Sequence, residues 1–183
     1  MSIISRKLDS IAASVDYDIC IFPDYTEALV GYVTDTKGKI AAAYDYDTCI
    51  EITAHNIDET SDETKYEAAS EYFSYNVLGA HIGNNPVFVS VQDFQEMTAW
   101  EIMEEFQDMV NPEDDMNVIP EYDYAIVGYT ERFGESPALL LSYTHIESCL
   151  MATEGLTDKE ASEKIKETTT VNTETPIYIL HEL

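Results

Sequence analysis

Ala28-Leu29-Val30-Gly31-Tyr32 and Ala125-Ile126-Val127-Gly128-Tyr129 are one short apolar phrase written twice, 97 residues apart. Working outward, the same spacing relates Ile21-Phe22-Pro23-Asp24-Tyr25 to Val118-Ile119-Pro120-Glu121-Tyr122, Asp45 to Ser142, and Tyr46 to Tyr143. Further along the spacing shortens. Ala69-Ser70-Glu71 matches Ala161-Ser162-Glu163 at 92, and Pro86-Val87-Phe88-Val89 matches Pro176-Ile177-Tyr178-Ile179 at 90. Upstream, Ile4, Leu8 and Ile11 stand opposite Ile102, Phe106 and Met109. Matches kept in order while the connections between them shorten mark a duplicated structural unit.

Each copy reads as helix, strand, strand, helix, helix, strand. The leading helices carry apolar stripes at helical spacing, Ile4-Leu8-Ile11-Val15 in the first copy and Phe94-Met97-Trp100-Met103-Phe106-Val110 in the second. Short apolar runs over 28–33 and 40–44 flank Thr36-Lys37-Gly38-Lys39, a hairpin pattern, and the run over 138–141 is the return strand of the second copy. Helices are expected over 46–55 and 143–153, with Asp45 and Ser142 as N-caps. Thr157-Asp158-Lys159-Glu160 is a capping box, and Thr60-Ser61-Asp62-Glu63 is its counterpart. Runs over 86–91 and 176–180 supply the last strands. The expected fold class is α+β: two tandem α-β-β-α-α-β repeats, 1–92 and 93–183, related by a pseudo-twofold, each with its own three-stranded antiparallel or mixed sheet.

At 45% hydrophobic residues the 183-residue chain can bury a core, and its longest apolar runs are too short to span a bilayer. The start, Met-Ser-Ile-Ile-Ser-Arg-Lys, shows no secretion signal, so a cytoplasmic location in a bacterial host cell is expected. Cys20, Cys49 and Cys149 are odd in number and lack CxxC spacing, which argues against a disulfide framework or a zinc ribbon.

Charge is the strongest compositional feature. Thirty-six Asp and Glu against nine Lys and Arg give a net −27. A domain this size is about 40 Å across, and duplex DNA carries about 24 charges over that length. Such a surface repels nucleic acid and membranes and attracts basic partners. Direct nucleic-acid binding is not expected at this charge, and a local patch around Arg6, Lys7, Lys37 and Lys39 is where it would occur.

The acids are also unevenly placed. Residues 92–129 hold no Lys or Arg, and neither do residues 40–64. Glu101, Glu104, Glu105 and Asp108 share one helical face opposite the Met/Trp/Phe stripe, with Glu113, Asp114 and Asp115 following. Asp58, Glu59, Asp62 and Glu63 form a second cluster. Like charges four apart destabilise a helix by a few tenths of a kcal/mol; a merely solvated face is one reading, and the near-absence of interspersed cations is what speaks for a binding face. These eleven residues are the expected partner-contact set.

Catalytic patterns are missing. There is no GxSxG, Walker A or GxGxxG, and His55, His81, His145 and His181 show no metal-ligand spacing. Tyr44-Asp45-Tyr46-Asp47 lacks the alternating ligands, glycine and closing Glu of a calcium loop. No cofactor, no metal and no enzymatic activity are expected.

The sequence Ala28-Leu29-Val30-Gly31-Tyr32, then Ala41-Ala42-Ala43-Tyr44-Asp45-Tyr46 followed by a helix, a Thr-capped helix and a final Pro-led apolar strand resembles small acidic proteins of phages and mobile elements in Firmicutes. Among these the chain resembles type II-A anti-CRISPR inhibitors, and more broadly DNA-mimic inhibitors such as anti-restriction proteins. The resemblance implies no catalytic residues, carboxylates standing in for phosphates, and a basic host nuclease as partner; a monomer or homodimer is expected, and the sequence does not choose between them. The alternative is an acidic interaction or adaptor module for another basic partner.

Overall fold

A computed structural model describes residues 19–35, 38–57, 62–80, 86–91, 119–131, 137–169 and 178–182, together with Glu101 and Glu104. Its elements are a 3-10 turn Pro23–Ala28, β1 Leu29–Asp35, β2 Ile40–Asp45, α1 Tyr46–His55, α2 Asp62–Phe73 running into a π-helical turn Ser74–Leu78, β3 Val87–Val91, a second 3-10 turn Pro120–Ala125, β4 Ile126–Glu131, β5 Ala138–Ser142, α3 Tyr143–Glu154, α4 Asp158–Thr169 and β6 Tyr178–Glu182. The first leading helix, the second apart from Glu101 and Glu104, and the Thr60-Ser61 cap fall outside the described residues.

Local chemistry sets the element ends. Asp45 accepts the Thr48 N–H at 2.8 Å and Ser142 accepts the His145 N–H at 3.2 Å, capping α1 and α3 as expected. In the capping box the Thr157 N–H donates to Glu160 Oε2 at 2.9 Å and the Glu160 N–H donates to Thr157 Oγ1 at 3.4 Å. α3 stops at Gly155, whose φ of 68° lets its N–H reach the Met151 carbonyl at 3.1 Å. The 3-10 turns, which sequence periodicity did not reveal, each open on a proline whose fixed φ suits a helical first position. Tyr25 and Tyr122 kink them at matching backbone angles.

One sheet per repeat is not what forms. β1 pairs antiparallel with β2, and β2 pairs parallel with β3; β4, β5 and β6 repeat that order. β3 then pairs antiparallel with β4, and β6 with β1, so six strands close a single barrel. This overturns the expectation of two tandem three-stranded sheets. The physical reason is the edges. A three-stranded sheet leaves the backbone N–H and C=O rows of its outer strands unpaired, and here each copy satisfies the edges of the other.

The ladders also correct the spacing of the last strands. Ala43 pairs with Val87, and Leu140, its partner 97 residues on, pairs with Tyr178. The true spacing is therefore 91 rather than 90. A slip of one residue exchanges the two faces of a strand, so the structural counterpart of His181 is Ser90, not Val91.

Three apolar clusters result. Val33, Ala41, Ala43, Val89, Val127, Leu140 and Leu180 fill the barrel interior. Alanines suit that space, because a barrel narrows as its strand number falls. On the outer wall, α1 and α2 cover Leu29, Ala42, Tyr44 and Phe88 with Cys49, Ile50, Ala54, Ala69 and Phe73. α3 and α4 cover Ile126, Tyr129, Leu139, Leu141 and Ile179 with Ile146, Leu150, Ala161 and Ile165. Strands such as β5 are thus buried on both faces. Burial of each Val or Leu contributes roughly 1.5–3 kcal/mol.

The copies solve the same packing problem differently. The first is aromatic: Phe73 meets Phe88 edge-on at 4.9 Å and Tyr25 at 5.5 Å, and the Phe22 N–H donates to Tyr44 Oη at 2.8 Å. Tyr25 Oη lies 3.1 Å from Thr53 Oγ1. In the second copy Leu150 stands in place of Thr53, and the buried Tyr122 hydroxyl has no hydrogen-bond partner among the described residues. A satisfied hydroxyl is worth about 1 kcal/mol, and an unsatisfied buried one costs about as much. Urea unfolding should therefore show Tyr25→Phe destabilised by about 1 kcal/mol and Tyr122→Phe stabilised by about 1 kcal/mol. Equal signs for the two would refute the assignment.

Candidate functional site

Two surfaces merit attention: the acidic outer faces and a cavity at the junction of the copies. Of the expected contact residues, Glu101 and Glu104 are helical and exposed. Asp62 and Glu63 open α2, with side chains outside the description, and Glu105, Asp108, Glu113, Asp114, Asp115, Asp58 and Glu59 lie outside the described residues. The described residues therefore show no cluster uniting the expected set.

Other carboxylates do face solvent together. Asp24 and Glu27 on the first 3-10 turn, Asp47 and Glu51 on α1, and Glu67 and Glu71 on α2 are all exposed. α1 packs against both the turn and α2, which places these acids on neighbouring elements. Asp47 holds its proton above the usual carboxylate range, first through partial burial and then through repulsion from Asp45 and Glu51. The like-charge spacing Asp47–Glu51 and Glu67–Glu71 costs each helix a few tenths of a kcal/mol.

The second copy treats equivalent positions differently. Lys159 lies 3.8 Å from Glu163, and Lys164 lies 2.6 Å from Glu154. At the spacing of 92, Lys159 replaces Glu67 and Lys164 replaces Tyr72. The first copy thus carries a like-charge pair where the second carries an ion pair.

The cavity, about 510 Å³, opens between the tip of the β1–β2 hairpin and α4. It is lined by Thr34, Asp35, Gly38, Tyr143, Ser162, Ile165, Lys166, Thr169, Ile179 and His181. The hairpin tip is held by the Gly38 N–H donating to the Asp35 carbonyl at 2.9 Å and the Lys39 N–H donating to Asp35 Oδ1 at 2.7 Å, with Gly38 at φ 77°. His181 forms the inner wall. Its ring is stacked on Tyr32 at 4.4 Å and 4°, and on Tyr143 at 4.5 Å and 28°. Its Nε2 lies 3.2 Å from Thr34 Oγ1. Burial pushes its pKa down to about 4, so the ring is neutral at physiological pH. Burial likewise raises the phenols of Tyr32 and Tyr143.

Sequence reasoning missed this stack, although the exchange of Ser90 for His181 is visible once the spacing is set to 91. Among the described residues no group of three or more His, Cys, Asp or Glu is placed to hold a metal ion, and no helix is long and apolar enough to cross a membrane. Cys49 is buried, with its thiol pushed up to about 12 by burial and then by Asp45, while Cys20 and Cys149 are half-buried; all three are free thiols. No protein-family model, curated protein or solved structure matches this chain.

Proposed function

We propose that this protein is an inhibitor that occupies the basic nucleic-acid channel of a host nuclease, with RNA-guided type II effectors, the class that the resemblance implies, as its first target. The supporting observation is its charge: 36 acids against nine cations, net −27, with described carboxylates from Asp24 to Glu104 facing solvent. In such effectors a positively charged channel holds the guide–target heteroduplex and arginines read the adjacent duplex. Carboxylates can take those arginines bidentately, as phosphates do. Association driven this way is fast and weakens with salt.

The test is DNA cleavage by a type II effector, titrated with this protein from about 50 to about 300 mM salt. Inhibition should weaken as salt rises. The combined variant Asp47→Lys, Glu51→Lys, Glu101→Lys and Glu104→Lys should lose at least about tenfold in potency, with its melting temperature measured alongside. Full inhibition by this variant at every salt concentration would remove the basis of the proposal.

A further inference from the structure

Along α2 and the π-helical turn that continues it, Glu67, Glu71 and Tyr75 follow one another four residues apart and Tyr72 lies beside them. All four are exposed, Tyr72 at 54% and Tyr75 at 78%. These two neighbouring rings are the most exposed aromatics among the described residues, whereas Tyr44, Phe73 and Phe88 of the same copy are buried in one cluster. Tyr75 sits in the π-helical turn Ser74–Leu78, which follows directly on the α-helix, a local geometry found often at functional sites. The one cation of α2, Lys65, has Ala68 and Ala69 at i+3 and i+4, so it offers the ridge no helical ion pair.

The other copy is an internal control. At the equivalent four positions α4 has Lys159, Glu163, Lys164 and Glu167. There Lys159 pairs with Glu163 and Lys164 with Glu154. The same scaffold thus supports a self-compensated charged face, and the first copy has replaced both lysines, one by a carboxylate and one by an aromatic ring. That exchange is unfavourable for the isolated helix, since it substitutes repulsion for attraction and exposes apolar area.

We propose that the Glu67–Glu71–Tyr75 ridge, with Tyr72, is the contact surface for an arginine-lined groove of a protein partner. The chemistry selects arginine over lysine. A guanidinium plane stacks on a tyrosine face while its N–H groups fork onto a neighbouring carboxylate, whereas a lysine ammonium supplies only a point charge. Tyrosine and arginine are also the residues that concentrate binding energy at interfaces. This inference rests on the reading that the partner is basic, and it adds where the partner docks and which cation it presents.

The experiment measures binding of arginine and lysine homopeptides of equal length to the whole protein, together with nuclease inhibition. Wild type should prefer the arginine peptide by about fivefold. Tyr72→Ala combined with Tyr75→Ala should remove that preference and leave lysine-peptide affinity unchanged. Tyr72→Phe with Tyr75→Phe keeps the rings and should keep the preference. Tyr66→Ala, an exposed tyrosine on the other flank of α2, should change nothing. Equal affinity of wild type for both peptides, or a preference that survives the double alanine change, overturns this inference alone if nuclease inhibition persists. Retained arginine preference without inhibition of any nuclease overturns only the inhibitor reading.

Discussion

Gly128→Ala is expected to destabilise the protein by about 3 kcal/mol or more, measured by urea unfolding. A Cβ built at Gly128 would lie 2.0 Å from the Ser90 carbonyl oxygen, 3.0 Å from its carbon and 3.1 Å from Val91 Cα. All three are backbone atoms of β3, so no side-chain rotation relieves the clash. Gly128 also has φ 156° at the bulge where β4 shifts register against β5. The substitution therefore strikes the β3–β4 seam, where the first copy is joined to the second. Gly155→Ala is the control. Its φ of 68° disfavours a side chain, but a Cβ there meets nothing within 4 Å, and a cost of about 1 kcal/mol is expected. Comparable losses for the two variants would show that backbone conformation, not the seam, governs Gly128.

The second large effect is acid destabilisation through His181. Its folded-state pKa of about 4 lies below the ordinary 6.5 because burial between Tyr32 and Tyr143 penalises the charged ring. For a depressed histidine the unfolded chain takes up the proton first. The contribution is nil above pH 6.5, grows as pH falls, and levels off near pH 4. At 1.36 kcal/mol per pKa unit it reaches about 3 kcal/mol. Wild type should thus lose about that much relative to His181→Gln between pH 7 and pH 4. The difference between the two proteins is the proper readout, because carboxylate repulsion relaxes with acid in both. A stability difference that does not vary with pH would mean that His181 is already open to water.

Much of the local architecture was legible in the chain. The Asp45, Ser142 and Thr157 caps, the hairpin at Gly38 and helices starting at Tyr46 and Tyr143 all follow from short-range hydrogen bonding, which needs only a few neighbouring residues. The 3-10 turns stayed hidden because six residues are too few to show a period. The ridge at Tyr72 and Tyr75 stayed hidden for another reason: composition records an aromatic residue but not whether its ring is inside or out.

Gly31 and Gly128, 97 residues apart, mark a duplicated unit, and the residue order alone determined that unit, its caps and its acidity. Only the tertiary structure decided that the two units share one barrel. Strand pairing across β3–β4 and β6–β1 is made by backbone groups that every residue carries, so no side-chain pattern names the partner edge. The same ladders set the spacing of the last strands at 91, and with it placed His181 between two tyrosines opposite a serine in the other copy. Side-chain chemistry wrote the pieces; the need to leave no strand edge unpaired chose how they closed.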